Sequence, residues 1–393
     1  MKQFENIFRT IFLLFLCLSA TNRATAQEQD LSIMDSVEIG LITCSPHDEV
    51  YSLYGHTAIR YQDLRTGADS VYNYGIFNFN KPYFILRFVF GKTDYELGRV
   101  PTYPFCAYYA EWGCQVTEQV LNLTSEEKAR IVNALRRNYL PENRVYRYNF
   151  FYDNCSTRPR NIIEDHIDGH IVYAPREGYE PSYREMIHEH TRRNPWAAFG
   201  NDLLLGVNAD KKTTLREQEF LPENLRYDFD YAKISRNGQE VNLVKERRQL
   251  VNPGVQVTAQ GILLKPIHLA IILLCITLLI MCYEYMKKTC LWWYDLLLML
   301  LTGLAGVVLT AMIFSEHPTT SLNLQILVLN PLSLLFVWQV WQKRHSRWFT
   351  ISRILILAFF AFSFCQDYAE GMKIVALCLL LRTWKFTNTH HDK

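Results

Sequence analysis

Hydrophobic and polar positions follow different periods in the two halves of the chain. In the first half, apolar residues alternate with polar ones over SVEIGLIT (36–43), HTAIRY (56–61), DSVYNY (69–74, after an RTGA turn) and residues 116–123. A period of two predicts strands. Residues 124–127, TSEE, read as a capping box, with Thr124 bonding a first-turn amide and Glu127 reaching back. They open a helix that runs to about Tyr139 and is stopped by Pro141. Strands and helices mixed without βαβ spacing predict an α+β fold, a small antiparallel sheet with helices.

Beyond residue 262 the alternation gives way to long apolar runs. Ile267–Tyr283, Leu291–Phe314, Leu322–Trp341, Trp348–Cys365 and a shorter Met372–Trp384, cut by Arg382, predict an all-α membrane bundle of about five helices. Lys287 and Lys288 follow the first run, Lys343, Arg344 and Arg347 the third, and Arg382, Lys385 and Lys393 the fifth. All three clusters then lie on one side, which the positive-inside rule makes cytoplasmic. The N terminus agrees with export. Lys2 and Arg9, the apolar run Ile11–Ala20 and Ala24-Thr25-Ala26 make a secretory signal, an uncleaved anchor being the other reading. The expected division is a signal peptide (1–26), an exported domain (27–235), a juxtamembrane connector (236–262), a transmembrane bundle (263–386) and a cytoplasmic tail (387–393). The connector is charged, with KERRQ at 245–249 and room for a strand or two. It reads equally as a solvated linker or as a segment against anionic head groups.

Composition narrows the partners. Hydrophobic residues make up 49% of the 393, concentrated at the C-terminal end, and the net charge of +2 comes from interspersed acids and bases. Without a basic stripe interleaved with aromatics, nucleic acid is excluded as a partner. Four cysteines fall in the exported part: Cys44, Cys106, Cys114 and Cys155. If Cys155 stays free, Cys106 with Cys114 is the expected disulfide.

The chemistry concentrates in two segments. YRYNFFYDNCSTRPRNII (146–163) places Cys155 where an aromatic strand-like run gives way to a helix-like one, behind the N-cap types Asp153 and Asn154. A helix N-terminus and a nearby imidazolium both lower a thiol pKa, and the thiolate is the nucleophile. YSLYGHTAIRY supplies the imidazole as His56. Read alone, Cys155 is a disulfide half or a small buried side chain, and His56 is a structural histidine. Paired, they are a thiol catalytic dyad. A third group should orient the imidazole: Asn73 on the next strand first, Asp63 second, each with a turn or surface role as its plain alternative. Pro159 is awkward in the first turn of the helix. Tyr54, Tyr74 and neighbouring aromatics line an apolar cleft or fill the core. Asp153, Asn154 and Arg158 sit beside the cysteine, with Arg158 suited to a phosphate or carboxylate, or to a solvated helix face. Glu316, His317 and Asn323 fall in one exported loop between spans, and Gln366, Asp367 and Glu370 in another. Both loops are placed to face the cleft. His188 and His190, two apart on a helix, point to different faces, so no metal is expected, nor any cofactor.

SPHDEVYSLYGHTAIRY, VYNYGIFNF, LPENRVYRYNFFYDNCSTRPRNIIE and SEHPTTSLNLQILVLNPL resemble the Lnb-type lipoprotein N-acyltransferases. These join an exported thiol-transferase domain to a small bundle of membrane helices. The exported part is also similar to the circularly permuted NlpC/P60 superfamily, where a strand histidine precedes a cysteine at a helix N-terminus, as in lecithin:retinol acyltransferase-like enzymes. The resemblance covers most of residues 36–235 and, more loosely, the membrane part. It implies Cys155 as nucleophile, His56 as base, a phospholipid acyl donor, a lipoprotein acceptor and a bacterial inner-membrane location with the catalytic domain in the periplasm. The alternatives are a membrane-tethered cell-wall peptidase or amidase, and a non-catalytic sensor.

Overall fold

A computed structural model describes residues 31–78, 82–257, 263–342 and 346–388. The expected signal peptide lies outside the described residues, as do Lys343, Arg344 and the tail beyond residue 388.

The exported domain is built on a seven-stranded antiparallel sheet. Its strands are β1 (Val37–Cys44), β2 (His56–Asp63), β3 (Ala68–Ile76), β4 (Asp94–Pro101), β5 (Val116–Leu121), β6 (Val145–Arg147) and β10 (Val244–Val251), in the order β10-β5-β1-β2-β3-β4-β6. A small second sheet pairs β7 (His170–Val172), β8 (Lys233–Arg236) and β9 (Gln239–Asn242). Both faces of the large sheet are covered, so apolar residues on either side of its central strands are buried. Ile39, Leu41, Ile59 and Tyr72 point to one core, and Ile42, Cys44, Ala58 and Val71 to the other.

The predicted strands lie within two residues of β1, β2, β3 and β5. The helix predicted from the capping box is Ser125–Asn138, with Thr124 and Glu127 making both reciprocal bonds. Two sequence expectations are corrected here. Residues 236–251 do not form a connector: β8 and β9 make a hairpin, and β10 pairs with β5 at the edge of the main sheet. Its alternating charges face solvent, as an edge strand requires. Cys44, Cys106, Cys114 and Cys155 are free thiols, so Cys106 and Cys114 are not joined. Cys114 is buried and directs its sulfur to the Pro46 carbonyl at 3.7 Å.

Helices α1 (Phe84–Val89), α2 (Thr102–Glu111), α3 (Ser125–Asn138), α4 (Thr157–Glu164), α5 (Tyr183–Thr191), α6 (Pro195–Leu204), α7 (Leu215–Gln218) and α8 (Pro222–Tyr231) complete the domain. The C-terminal part contains α9 (Pro266–Lys287), α10 (Trp292–Ile313), α11 (Ser333–Trp341), α12 (Trp348–Ala361) and α13 (Met372–Asn388). Among the described residues, α9 and α10 are each long and apolar enough to cross a bilayer. The third expected span, Leu322–Trp341, is helical only from Ser333. Before it, Leu324–Leu327 is a single 3-10 turn, and Pro331 has no amide to continue a helix backwards. Irregular backbone at this depth is tolerated where protein buries it. Here Gln325 and Asn323 are fully enclosed against the exported domain. Arg382 does not end the last helix either. It is buried between Glu284 of α9 and Asp295 of α10, with three contacts of 2.6–2.7 Å.

Candidate active site

His56 opens β2, Asn73 lies on the adjacent β3, and Cys155 sits on the turn that leads into α4. Asn154, rather than the residue next to the helix, caps that turn. Its Oδ1 accepts from the amides of Ser156 and Thr157 at 2.8 and 2.9 Å, and its Nδ2 donates to the carbonyls of Phe150 and Phe220. Pro159 occupies the third residue of α4, and the turn forms around it, with the Arg158 and Arg160 amides bonding the carbonyls of Asn154 and Ser156 at 3.2 and 3.1 Å. The expected obstacle at Pro159 therefore disappears.

The imidazole is fixed from both sides. His56 Nε2 lies 2.6 Å from Asn73 Oδ1, and the ring is also hydrogen-bonded to Cys155. The rings of Tyr109 and Phe105 flank it, with centroids 6.4 and 6.5 Å away. Burial alone would lower the His56 pKa, but the Cys155 charge and the bonds to Cys155 and Asn73 outweigh it, and the pKa is raised. Burial would likewise raise the Cys155 thiol. Instead the His56 charge, its hydrogen bond, the Thr57 amide and the Ser156 hydroxyl together lower it. The two shifts are coupled: the charge on each group favours the charged form of the other. Thr57 Oγ1 and Ser156 Oγ, 3.0 Å apart, tie β2 to the nose of α4 and keep the two reacting groups in register.

Backbone shape contributes as well. The pairing of β3 with β4 is irregular between Asn73 and Ile76. Within that bulge Gly75 adopts φ +96°, which only glycine takes without strain. A Cβ there would lie 3.7 Å from Cys155 Cβ and 4.0 Å from His56 Cε1. The bulge thus brings β3 against the dyad.

The dyad opens into a cavity of about 760 Å³. Its wall combines the exported domain with the end of α10 and the loop beyond it, through Met312, His317, Thr319 and Thr320. Among the described lining residues none is Lys, Arg, Asp or Glu. Tyr54 and His317 are part of the wall, and burial lowers the His317 pKa. Asn154 also borders the cavity, but its amide is engaged in holding the turn. Tyr74, Asp153 and Arg158 lie away from the wall. Tyr74 accepts from Asn138, while Arg158 pairs with Asp153 at 2.6 Å and stacks on Tyr146. Asp63 ends the far side of β2, where it accepts from Ser36 and from the Arg65 and Thr66 amides, a turn role.

The membrane loops reach the exported domain through polar side chains. Gln325 donates to Asp202 O at 2.8 Å, Gln366 to Leu205 O at 2.9 Å and Asn323 to Leu203 O at 2.8 Å. These carbonyls belong to the end of α6, whose Leu204 and Leu205 are cavity wall. Glu316 meets Arg147 at 3.2 Å. Thr57, Ser156 and Gln325 carry no sequence signal of their own, because each acts through a contact between distant segments.

A sheet-borne histidine beside a cysteine at a helix nose, joined to apolar helices, defines a membrane protein with an exported thiol-type domain. Residues 25–188 match the Lnb N-terminal periplasmic domain, and residues 258–391 match the Lnb transmembrane domain. The chain belongs to the Lnb family, membrane enzymes of lipoprotein maturation with a periplasmic domain. No curated protein and no solved structure matches it.

Proposed function

We propose that this protein is a multi-pass inner-membrane N-acyltransferase that moves an acyl chain from a phospholipid to the N-terminal cysteine amine of a lipoprotein, through a thioester on Cys155. The observation that carries the reading is the cavity, whose described wall holds no Lys, Arg, Asp or Glu and which joins the Cys155–His56 pair to the membrane loops. An acyl chain fits such a wall. A charged cell-wall stem peptide would lose its hydration there without ionic partners, which disfavours a peptidase.

In the first half-reaction the Cys155 thiolate attacks the ester carbonyl. The ester C–O bond breaks, and the leaving lysophospholipid alkoxide takes its proton from the His56 imidazolium. Asn73 holds the ring so that one nitrogen faces the reacting atoms. In the second half-reaction the lipoprotein α-amine attacks the thioester. Its pKa near 8 leaves roughly a tenth as free amine at pH 7. Neutral His56 accepts the amine proton as the amide forms and the thiolate departs, regenerating the starting pair. The apolar wall keeps water from the thioester.

The intermediate provides the test. The full-length protein in phosphatidylethanolamine vesicles, without acceptor, should gain the mass of one acyl chain, lost on neutral hydroxylamine treatment and absent from Cys155→Ala. A folded, inserted parent that gains no such mass overturns the proposal.

A further inference from the structure

One surface beside the cavity takes no part in the chemistry above. Helix α1 and its flanking residues, Tyr83 to Phe90, carry a single charge, Arg87. That charge is folded back on the domain: its guanidinium pairs with Asp94, and its Nε donates to the Lys92 carbonyl at 3.0 Å. The rest of the segment is aromatic or aliphatic and divides into two faces. Phe84 and Phe88 line the cavity, Phe88 at its rim with 44% of its surface exposed. Tyr83, Leu86 and Phe90 turn outward, with 77%, 56% and 43% of their surface exposed.

The position of this outward face identifies what covers it. The Glu316 amide donates to Phe90 O at 3.3 Å, His317 Nε2 lies 3.3 Å from Phe88 O, and a Cβ on Gly91 would come within 3.0 Å of Glu316 Cβ. Helix α1 is therefore docked where α10 emerges from the membrane. The exposed apolar side of α10, through Leu301, Leu304 and Val308, leads up to Phe314, itself 81% exposed. Glu316, the acid between Phe314 and α1, is taken up by Arg147. The apolar surface of a membrane-crossing helix thus continues onto α1, and the solvent suited to the first is suited to the second.

We infer that α1 is an interfacial helix seated in the outer leaflet, and that a diacyl phospholipid passes laterally to Cys155 between α1 and the 312–320 segment of the bundle. The inference rests on the proposed function for what happens to the lipid, but not for the lipid contact itself. Phe84 and Phe88 on one side and Met312 and Thr320 on the other then form the walls past which an acyl chain moves. The absence of Lys and Arg among the described lining residues leaves the phosphate of the donor at the mouth, in the head-group layer.

Two measurements on the full chain in phosphatidylethanolamine–phosphatidylglycerol vesicles test this. A benzophenone amino acid placed at Leu86 should, on irradiation, yield phospholipid adducts detectable by mass spectrometry, whereas the same probe at Val241 on the β8–β9 hairpin should yield few. Leu86→Glu combined with Phe90→Glu, neither residue being part of the cavity wall, should lower acyl uptake from vesicle phospholipid by about tenfold or more. The same variant should react with a water-soluble p-nitrophenyl butyrate within about twofold of the parent, which also reports that its site is folded. Protein adducts in place of lipid at Leu86, adducts no greater than at Val241, an unchanged vesicle rate or an equal loss with both donors overturns the inference. If the parent takes no acyl chain from phospholipid, the proposed function fails, and the adducts still decide the lipid contact.

Discussion

Asn73 Oδ1 lies 2.6 Å from His56 Nε2, on the strand next to it, so the imidazole that faces Cys155 is oriented by a neutral amide and not by a carboxylate. A neutral partner supports the imidazolium through hydrogen bonding alone. The main electrostatic support for that positive charge is the thiolate itself, which makes the two protonation states interdependent.

A bell-shaped pH profile follows for formation of the thioester. The Cys155 pKa is lowered, so activity falls on the acid side as the thiolate is protonated; the His56 pKa is raised, so it falls on the alkaline side as the imidazolium is lost. Asn73→Ala removes one bond that raises the His56 pKa. Its alkaline limb is expected to move to lower pH, with a loss of about 10- to 100-fold at the optimum. An unshifted limb would leave Asn73 with a packing role only.

Thiolate character can be read without any substrate. Iodoacetamide should alkylate Cys155 in the parent well below the ordinary thiol pKa, and His56→Ala should slow that reaction at neutral pH by about tenfold or more. Cys44, whose thiol burial pushes well above the usual range, should stay unlabelled until the protein unfolds. Peptide mapping of the labelled sites decides both points.

Gly75→Ala is expected to reduce activity more than its size implies. The added methyl meets only ordinary contacts, but φ +96° is unfavourable for alanine, at a cost of about 1–3 kcal/mol. The bulge would relax away from Cys155, and thioester formation should slow while the melting temperature falls by only a few degrees. A large loss of stability with unchanged rate per folded molecule would contradict this.

Arg382 bridges Glu284 and Asp295 inside the bundle, joining α13, α9 and α10. Arg382→Met leaves two buried carboxylates facing each other and should destabilise the bundle by about 3–5 kcal/mol. Replacing all three residues with apolar ones of similar volume should recover much of that loss. Thermal unfolding in detergent compares the variants directly.

The sequence made legible whatever local pattern determines. The alternation in 36–43 and 56–61, the Thr124–Glu127 box and four of the five apolar runs after residue 262 became the elements they predicted, and the Lnb resemblance agrees with the two family matches. Long-range contact decided the rest. The strand Val244–Val251 looked like a linker because an edge strand keeps its charges in water. The third span was misread over Leu322–Pro331 because its apolar composition conceals Gln325 and Asn323, polar residues that bond carbonyls more than a hundred positions earlier. Arg158 looked available to a ligand, yet Asp153 and the Tyr146 ring occupy it. Tyr74 and Asp153, expected at the cleft, are held by Asn138 and Arg158.

The central claim is transfer of an acyl chain to a lipoprotein amine by Cys155. The most direct measurement is mass spectrometry of one lipoprotein's N-terminal peptide, from membranes that lack lipoprotein N-acylation and carry either the parent protein or Cys155→Ala. One added amide-linked acyl chain with the parent, absent with the variant, is the expected result. An unchanged diacyl peptide in both, with the parent folded and inserted, would contradict the account.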